Sequence, residues 1–294
     1  MTIAALQRVL FRMQCDPDFA ARTLAGDAAG LQALGLDAGA QALLRSADES
    51  RIVADPGGKR RLQVLSNLSA EFEISARLLA AGSAGCGSPA AFFASSEFHE
   101  AVRDDGLLPF AFGAYVLRVA LSVGDRAAEA AVRLDAALAE ARRGPRTAPE
   151  LRDKPLLRDT RERSDAAFDA AGPRLSDLAR LTVVRAGATD GLAAAKDAIL
   201  GGDRGDLRRF FAPVEVAASY ECALVVGLPR TSPHRPAAVR IERLEPLVHA
   251  LLAAAEDRPL DVSAFAAEHG LDRDDVLAFA SELVAEGVLV VSRR

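Results

Sequence analysis

Tryptophan is absent from this chain, aromatic residues make up only 5% of it, and there are three cysteines and four histidines. Each scarcity excludes something. Cys15, Cys86 and Cys222 are far apart and odd in number, so no disulfide framework is expected, and the cytoplasm is the default compartment. His99, His234, His249 and His269 form no HxH, HExxH or Cys–His pair at ligand spacing, and a metal site needs several ligands converging on one point. No apolar run reaches membrane-spanning length. The opening MTIAALQRVLFRMQ alternates polar and apolar residues, unlike a signal peptide. Lysine is almost missing too: of 36 basic residues only Lys59, Lys154 and Lys196 are not arginine. With the abundance of alanine, this reads as coding bias in a GC-rich bacterial genome and carries no functional weight.

What is present is a long, apolar chain. Its 294 residues are 50% hydrophobic, enough for two domains with real cores. A formal net charge of −5 with acids and bases interspersed argues for solubility and against a broad nucleic-acid surface.

Residues 1–143 read as helical nearly throughout. Ile3, Leu6, Leu10, Phe11 and Met13 lie at helical spacing. Asp16-Pro17 is an N-cap followed by proline at the first helical position, which predicts a helix to Leu24. Asp37 caps another through Arg45, and Leu62 to Leu79 reads as one longer helix. Ser88-Pro89 repeats the cap-then-proline signal, and Ser95 or Ser96 caps Glu97–Arg103. Leu107–Val123 and Arg126–Arg143 complete a set expected to form an antiparallel bundle. Gly144–Pro149 is the clearest linker, and Glu150–Gly172, poor in apolar residues, reads as a loosely packed excursion. Leu181–Arg185 looks like a strand, and Thr189 caps a short helix to Leu200.

In residues 207–294, Val214, Val216, Ala218 and Tyr220 alternate and then run into Cys222–Val226, predicting one long strand. Pro229–Pro236 is a proline-rich turn and Ala238–Ile241 a second strand. Helices are expected at Leu244–Ala255, Val262–His269 and Arg273–Glu286, with a last strand at Val288–Val291.

Candidate chemistry is sparse. Glu97-Phe98-His99-Glu100 is the one place where histidine meets carboxylates locally, and it reads as a solvated helix face with Phe98 inward. Cys15 would be a nucleophile only beside a distant histidine, so a buried structural thiol is the plainer reading. Gly82–Ser88 is glycine-rich but lacks a phosphate-loop lysine and follows no strand; Gly57–Arg61 is a short basic cluster at a helix start.

The C-terminal unit is more telling. Strands precede three helices, and the third, Leu271–Gly287, carries Asp272, Asp274, Asp275, Glu282 and Glu286 against the single base Arg273. A DNA-binding winged helix needs a basic third helix and a two-stranded wing after it. Here residues 207–294 hold thirteen acids against ten bases, and only Val288–Arg294 follows the helix. The arrangement resembles the peptide-recognition elements of ribosomal-peptide pathways, and is similar to the small protein that presents the precursor in pyrroloquinoline quinone biosynthesis. That resemblance implies an extended leader peptide added as a strand at a sheet edge and packed beside the third helix. The matching residues are Val239, Arg240 and Ile241 on the strand, with Arg240 placed to read an acidic leader residue, and Val276, Phe279 and Leu283 on the helix.

The whole layout, through Ala91–Val102 and Leu108–Leu117 before that end, resembles the non-catalytic partner subunits of multinuclear non-haem iron oxidative enzymes, as in the methanobactin and 3-thiaglutamate pathways. The fold expected is mainly α: a helical domain over 1–143, a linker with a connecting strand and helix over 144–206, and an α+β winged-helix-like peptide-recognition domain over 207–294. The resemblance implies a cytoplasmic, non-catalytic subunit with no cofactor of its own. It would bind a precursor peptide and an iron-containing enzyme subunit, but neither nucleic acid nor membrane. Phe92, Phe93, Phe98 and Tyr115 are the candidate docking surface for the enzyme. The competing readings are a winged-helix transcriptional regulator or another protein-interaction adaptor. The acidic third helix separates them: fluorescence-anisotropy titration at physiological ionic strength is expected to show no salt-sensitive binding to duplex DNA, and such binding would favour the regulator.

Overall fold

A computed structural model of the chain describes residues 3–26, 31–32, 35–45, 55–81, 88–147, 172–176, 179–203, 205–227, 239–256 and 258–291. It divides into two compact units. Unit 1 is Met1–Ala136 with Ala198–Arg209, and unit 2 is Ala137–Asp197 with Phe210–Arg294. The expected boundaries at 143 and 207 differ from this division, because 144–206 is more than a connector: it supplies two strands and most of a helix to unit 2.

Among its described residues unit 1 is built from helices alone. They are α1 (Ile3–Cys15), α2 (Pro17–Leu24), α3 (Ala38–Arg45), α4 (Asp55–Glu71), α5 (Glu73–Ala81), α6 (Ser96–Arg103), α7 (Leu108–Val123) and the first half of α8 (Arg126–Thr147), with a 3₁₀ turn at Pro89–Ala94. Local chemistry explains the starts. The Asp16 carboxylate accepts from the Phe19 N–H, Asp37 from Ala40, and Ser95 from Phe98, each satisfying a donor the first turn leaves open. Ser88 caps the 3₁₀ turn in the same way, ahead of Pro89. The predicted Leu62–Leu79 helix is in fact two. The break falls at Phe72, where the Ser75 N–H and hydroxyl both turn to the buried Asp135 carboxylate on α8. An aromatic cluster forms the core: Phe92 sits 5.3 Å from Phe112 edge-on and 5.4 Å from Phe98, and all three are fully buried. Phe93 and Tyr115 are buried with them. The aromatics expected to form a docking surface are therefore core, because with so few rings in the chain the bundle uses them to fill its centre.

Unit 2 centres on a three-stranded antiparallel sheet in the order β2 (Ala179–Arg185), β3 (Tyr220–Gly227), β4 (Val239–Leu244). A short β1 (Pro173–Leu175) pairs instead with β5 (Leu289–Val291). Three helices, α11 (Pro246–Ala254), α12 (Val262–His269) and α13 (Arg273–Ala285), lie between β4 and β5. Their starts are equally local. Asp261 accepts from the Ala264 N–H, and Asp272 from Asp274 and Asp275. Past α13, Gly287 takes φ +77, a turn for which glycine carries no steric cost. β1 is stitched into this group: Leu175 donates to Ala255 O, and Leu260 donates to Pro173 O.

Three expectations change. Val214–Ser219 is not strand: Leu207–Phe211 is a 3₁₀ turn and α10 (Ala212–Val216) follows, with Pro213 in its first turn, so β3 begins only at Tyr220. The expected linker at Gly144 is helical to Thr147, with Pro145 inside the last turn of α8. The helix α9 (Ala188–Leu200) ends as expected but starts before Thr189, which is not its cap. Glu221 on β3 accepts from Gly187 N–H at 3.1 Å and Thr189 N–H at 2.8 Å. The loops expected at Gly82–Ser88 and Pro229–Pro236 and the excursion at Glu150–Gly172 lie wholly or mostly outside the described residues.

The Glu221 cap carries a testable consequence. Glu221→Ala leaves two helix-start donors without their acceptor, which costs about 1–2 kcal/mol. Thermal unfolding is expected to fall by roughly 2–4 °C per kcal/mol for a body of this size. An unchanged midpoint would mean that the cap contributes nothing.

Candidate functional site

β4 is a terminal strand of its sheet, so one of its two rows of backbone N–H and C=O groups has no strand beside it among the described residues. Register decides what its side chains meet. Arg240 lies opposite Val226 and Glu242 opposite Leu224, and those two β3 residues belong to the core formed with α11–α13. Arg240, Glu242 and Leu244 therefore share the helix side of the sheet. Val239 and Ile241 lie opposite Gly227 and Val225, on the other side, where Glu221 and Arg243 reach α9. Of the three expected strand residues, only Arg240 sends its side chain towards α13. Val239 and Ile241 lie on the face away from α13.

The three expected helix residues divide similarly. Val276 and Leu283 are buried, in one core with Leu252, Phe265 and Leu224, so they back the helix and do not line an open pocket. The reason is geometric: three short helices cover one face of a small sheet, and the apolar stripe of α13 is consumed in doing so. Phe279 is half-buried at the rim of that core. It shares a flank of α13 with Asp275, Glu282 and Glu286, at i, i+4, i+7 and i+11, and the three acids are exposed.

Arg240 joins strand to helix. Its Nη2 donates to Glu286 Oε2 at 2.9 Å, and its Nε lies 2.9 Å from Glu242 Oε1, as an ion pair without hydrogen-bond alignment. The hydrogen bond to Glu286 outweighs partial burial and holds the guanidinium above its usual pKa, with Glu242 adding to it. The base expected to read an acidic peptide residue is already held between two carboxylates. The carboxylates are what the sequence reading missed. Their signal was present in the spacing of 275, 282 and 286 on one helix face, but only the sheet register places Glu242 on the same side as Arg240.

Elsewhere the chemistry stays modest. Phe98 is fully buried as expected, while His99 Nε2 lies 2.9 Å from Asp16 Oδ2 and 3.2 Å from the Phe93 carbonyl oxygen, half-buried rather than fully solvated. Asp16 already caps α2, so this contact ties α6 to α2. In unit 1 a surface pocket of about 280 Å³ is lined by Phe11, Val102 and Leu108 and by the ion pair of Arg8 with Asp105 at 2.8 Å. Among the described residues no three His, Cys, Asp or Glu side chains converge as a metal site, and no helix is long and apolar enough to cross a membrane. No protein-family model, no curated protein and no solved structure matches this chain.

Burial of Cys15 pushes its thiol up to about 12, against the opposing pull of Arg60 and Arg61. A thiol held protonated to that pH is a poor nucleophile. Site-mapped alkylation with iodoacetamide at pH 8 is expected to leave Cys15 unmodified in the folded protein and to modify it in denaturant. The raised value also means that Cys15 favours folding fully below pH 9 and loses that contribution as pH climbs towards 12. Rapid native-state alkylation would overturn this.

Proposed function

We propose that the protein is a non-catalytic adaptor: unit 2 binds the leader of a ribosomally made precursor peptide, and the chain presents that peptide to an iron-dependent oxidative enzyme. The observation that carries the reading is β4, a terminal strand whose Arg240 is tied to the third helix through Glu286. An extended peptide added there would complete the sheet with main-chain hydrogen bonds and set alternate side chains against the α13 flank. The order of three antiparallel strands followed by three helices supports it, as does the acidic α13, which suits a protein or peptide better than phosphate. The other sheet edge, β2, is a weaker candidate because its Arg180 is already paired with Glu140 of α8 at 3.1 Å. The iron, in this reading, belongs to the partner. With Phe92, Phe93, Phe98 and Tyr115 buried, the enzyme would dock on other residues of the chain.

Successive residues of β4 turn their N–H groups to opposite sides, so Val239→Pro and Leu244→Pro remove donors of opposite parity. One loses a bond to β3 and should lower the unfolding midpoint. The other loses an outward donor and should weaken leader binding about tenfold, roughly 1.4 kcal/mol, without breaking a bond to β3. Calorimetric titration of the leader encoded beside this chain checks the first part, and co-purification with the neighbouring iron enzyme the second. Equal leader affinity in wild type and both variants would sink strand addition. A neighbouring iron enzyme that does not co-purify would sink the partner assignment.

A further inference from the structure

The walls beside the β4 edge are unlike in charge to one class of peptide and like another. From the strand come Arg240 and Glu242, on the helix side of the sheet. From α13 come Asp275, Phe279, Glu282 and Glu286, which at 3.6 residues per turn fall within a stripe about 60° wide. The C-terminal end of that stripe meets β4, where Glu286, just past the helix, reaches Arg240. Four carboxylates thus stand against one guanidinium, and that guanidinium is held by two of them. Phe279, half-buried, is the one large apolar side chain of the stripe.

On the reading of β4 as a strand-addition edge, we infer that the segment it accepts is basic: an extended peptide with Lys or Arg on either side of one apolar residue, all three facing α13. An acidic peptide residue would meet Glu242 and Glu286 and would have to displace both from Arg240. A basic one pairs with Asp275 or Glu282 and leaves the Arg240 clasp intact. The spacing agrees. Alternate side chains of a strand lie about 6.7 Å apart, and helix residues four apart rise about 6 Å. A strand running along α13 could therefore set base, apolar residue and base against Asp275, Phe279 and Glu282–Glu286. Exposed charge pairs contribute little singly, but several of one sign steer association and select between partners.

The probe is a set of three synthetic 14-residue peptides of alternating pattern, identical except that two groove-facing positions flanking a central valine are Lys, Gln or Glu. Each is titrated by fluorescence anisotropy into the full chain, the Asp275→Asn/Glu282→Lys double variant and the β4 proline variants, at low and moderate salt. Both helix positions are exposed, so the double variant should keep the wild-type unfolding midpoint. The Lys peptide is expected to bind about tenfold tighter than the Gln peptide and tighter still than the Glu peptide. That preference should collapse in the double variant and weaken with salt. If the Gln peptide binds as well as the Lys peptide, and a β4 proline abolishes both, the charge inference fails while strand addition stands. If no peptide binds, strand addition and the inference fail together. If the Lys peptide binds wild type, double variant and proline variants alike, the attraction is non-specific and the inference is overturned.

Discussion

Strand β3 is the constraint on which unit 2 depends. Ala223, Leu224, Val225 and Val226 are all nearly inaccessible, so both faces of this one strand are covered. Leu224 and Val226 face the core of α11–α13, while on the opposite side Glu221 and the β4 residue Arg243 reach α9. A strand apolar on consecutive residues must be central, because its two neighbours then satisfy its backbone while layers above and below take its side chains. With three strands in the sheet, centrality for β3 makes β2 and β4 edges by necessity. That no strand pairs with the outer row of β4 among the described residues is thus a consequence of burying β3.

Stability and recognition meet at α13 for the same reason. Its apolar stripe, through Val276, Leu277, Ala280 and Leu283, is spent on closing the core. What remains for a ligand is the flank, and the flank is acidic with one aromatic at its rim. Arg240 links the end of this flank to the strand through Glu286, an exposed pair that adds little to stability. In the proposed reading, the protein's own packing prepares this surface and charge does the selecting.

Much of this was legible in the sequence wherever the cause is local. Asp16-Pro17 and Ser95 act within three residues of the donors they satisfy, and α12 runs from Val262 to His269 as its pattern predicts. The errors share a different cause. Glu221 caps a helix 32 residues away in sequence, and Asp135 draws the Ser75 N–H across 60 residues to split an apolar run into α4 and α5. The alternation of Val214–Tyr220 has the period of a strand, yet that stretch opens as α10 with Pro213 in its first turn. At the candidate site, the strand and helix could be named, but not which β4 residues face α13. That depends on the pairing of Val226 with Arg240, a fact of register.

The central claim, that β4 is an edge kept for an added strand, is tested most directly by amide hydrogen exchange on the full chain with and without a saturating leader peptide. Strand addition protects alternate residues of Val239–Leu244, those whose N–H points away from β3, and leaves the β3 amides unchanged. Uniform protection across α13 with none at those β4 amides, or none in unit 2 at all, would contradict it.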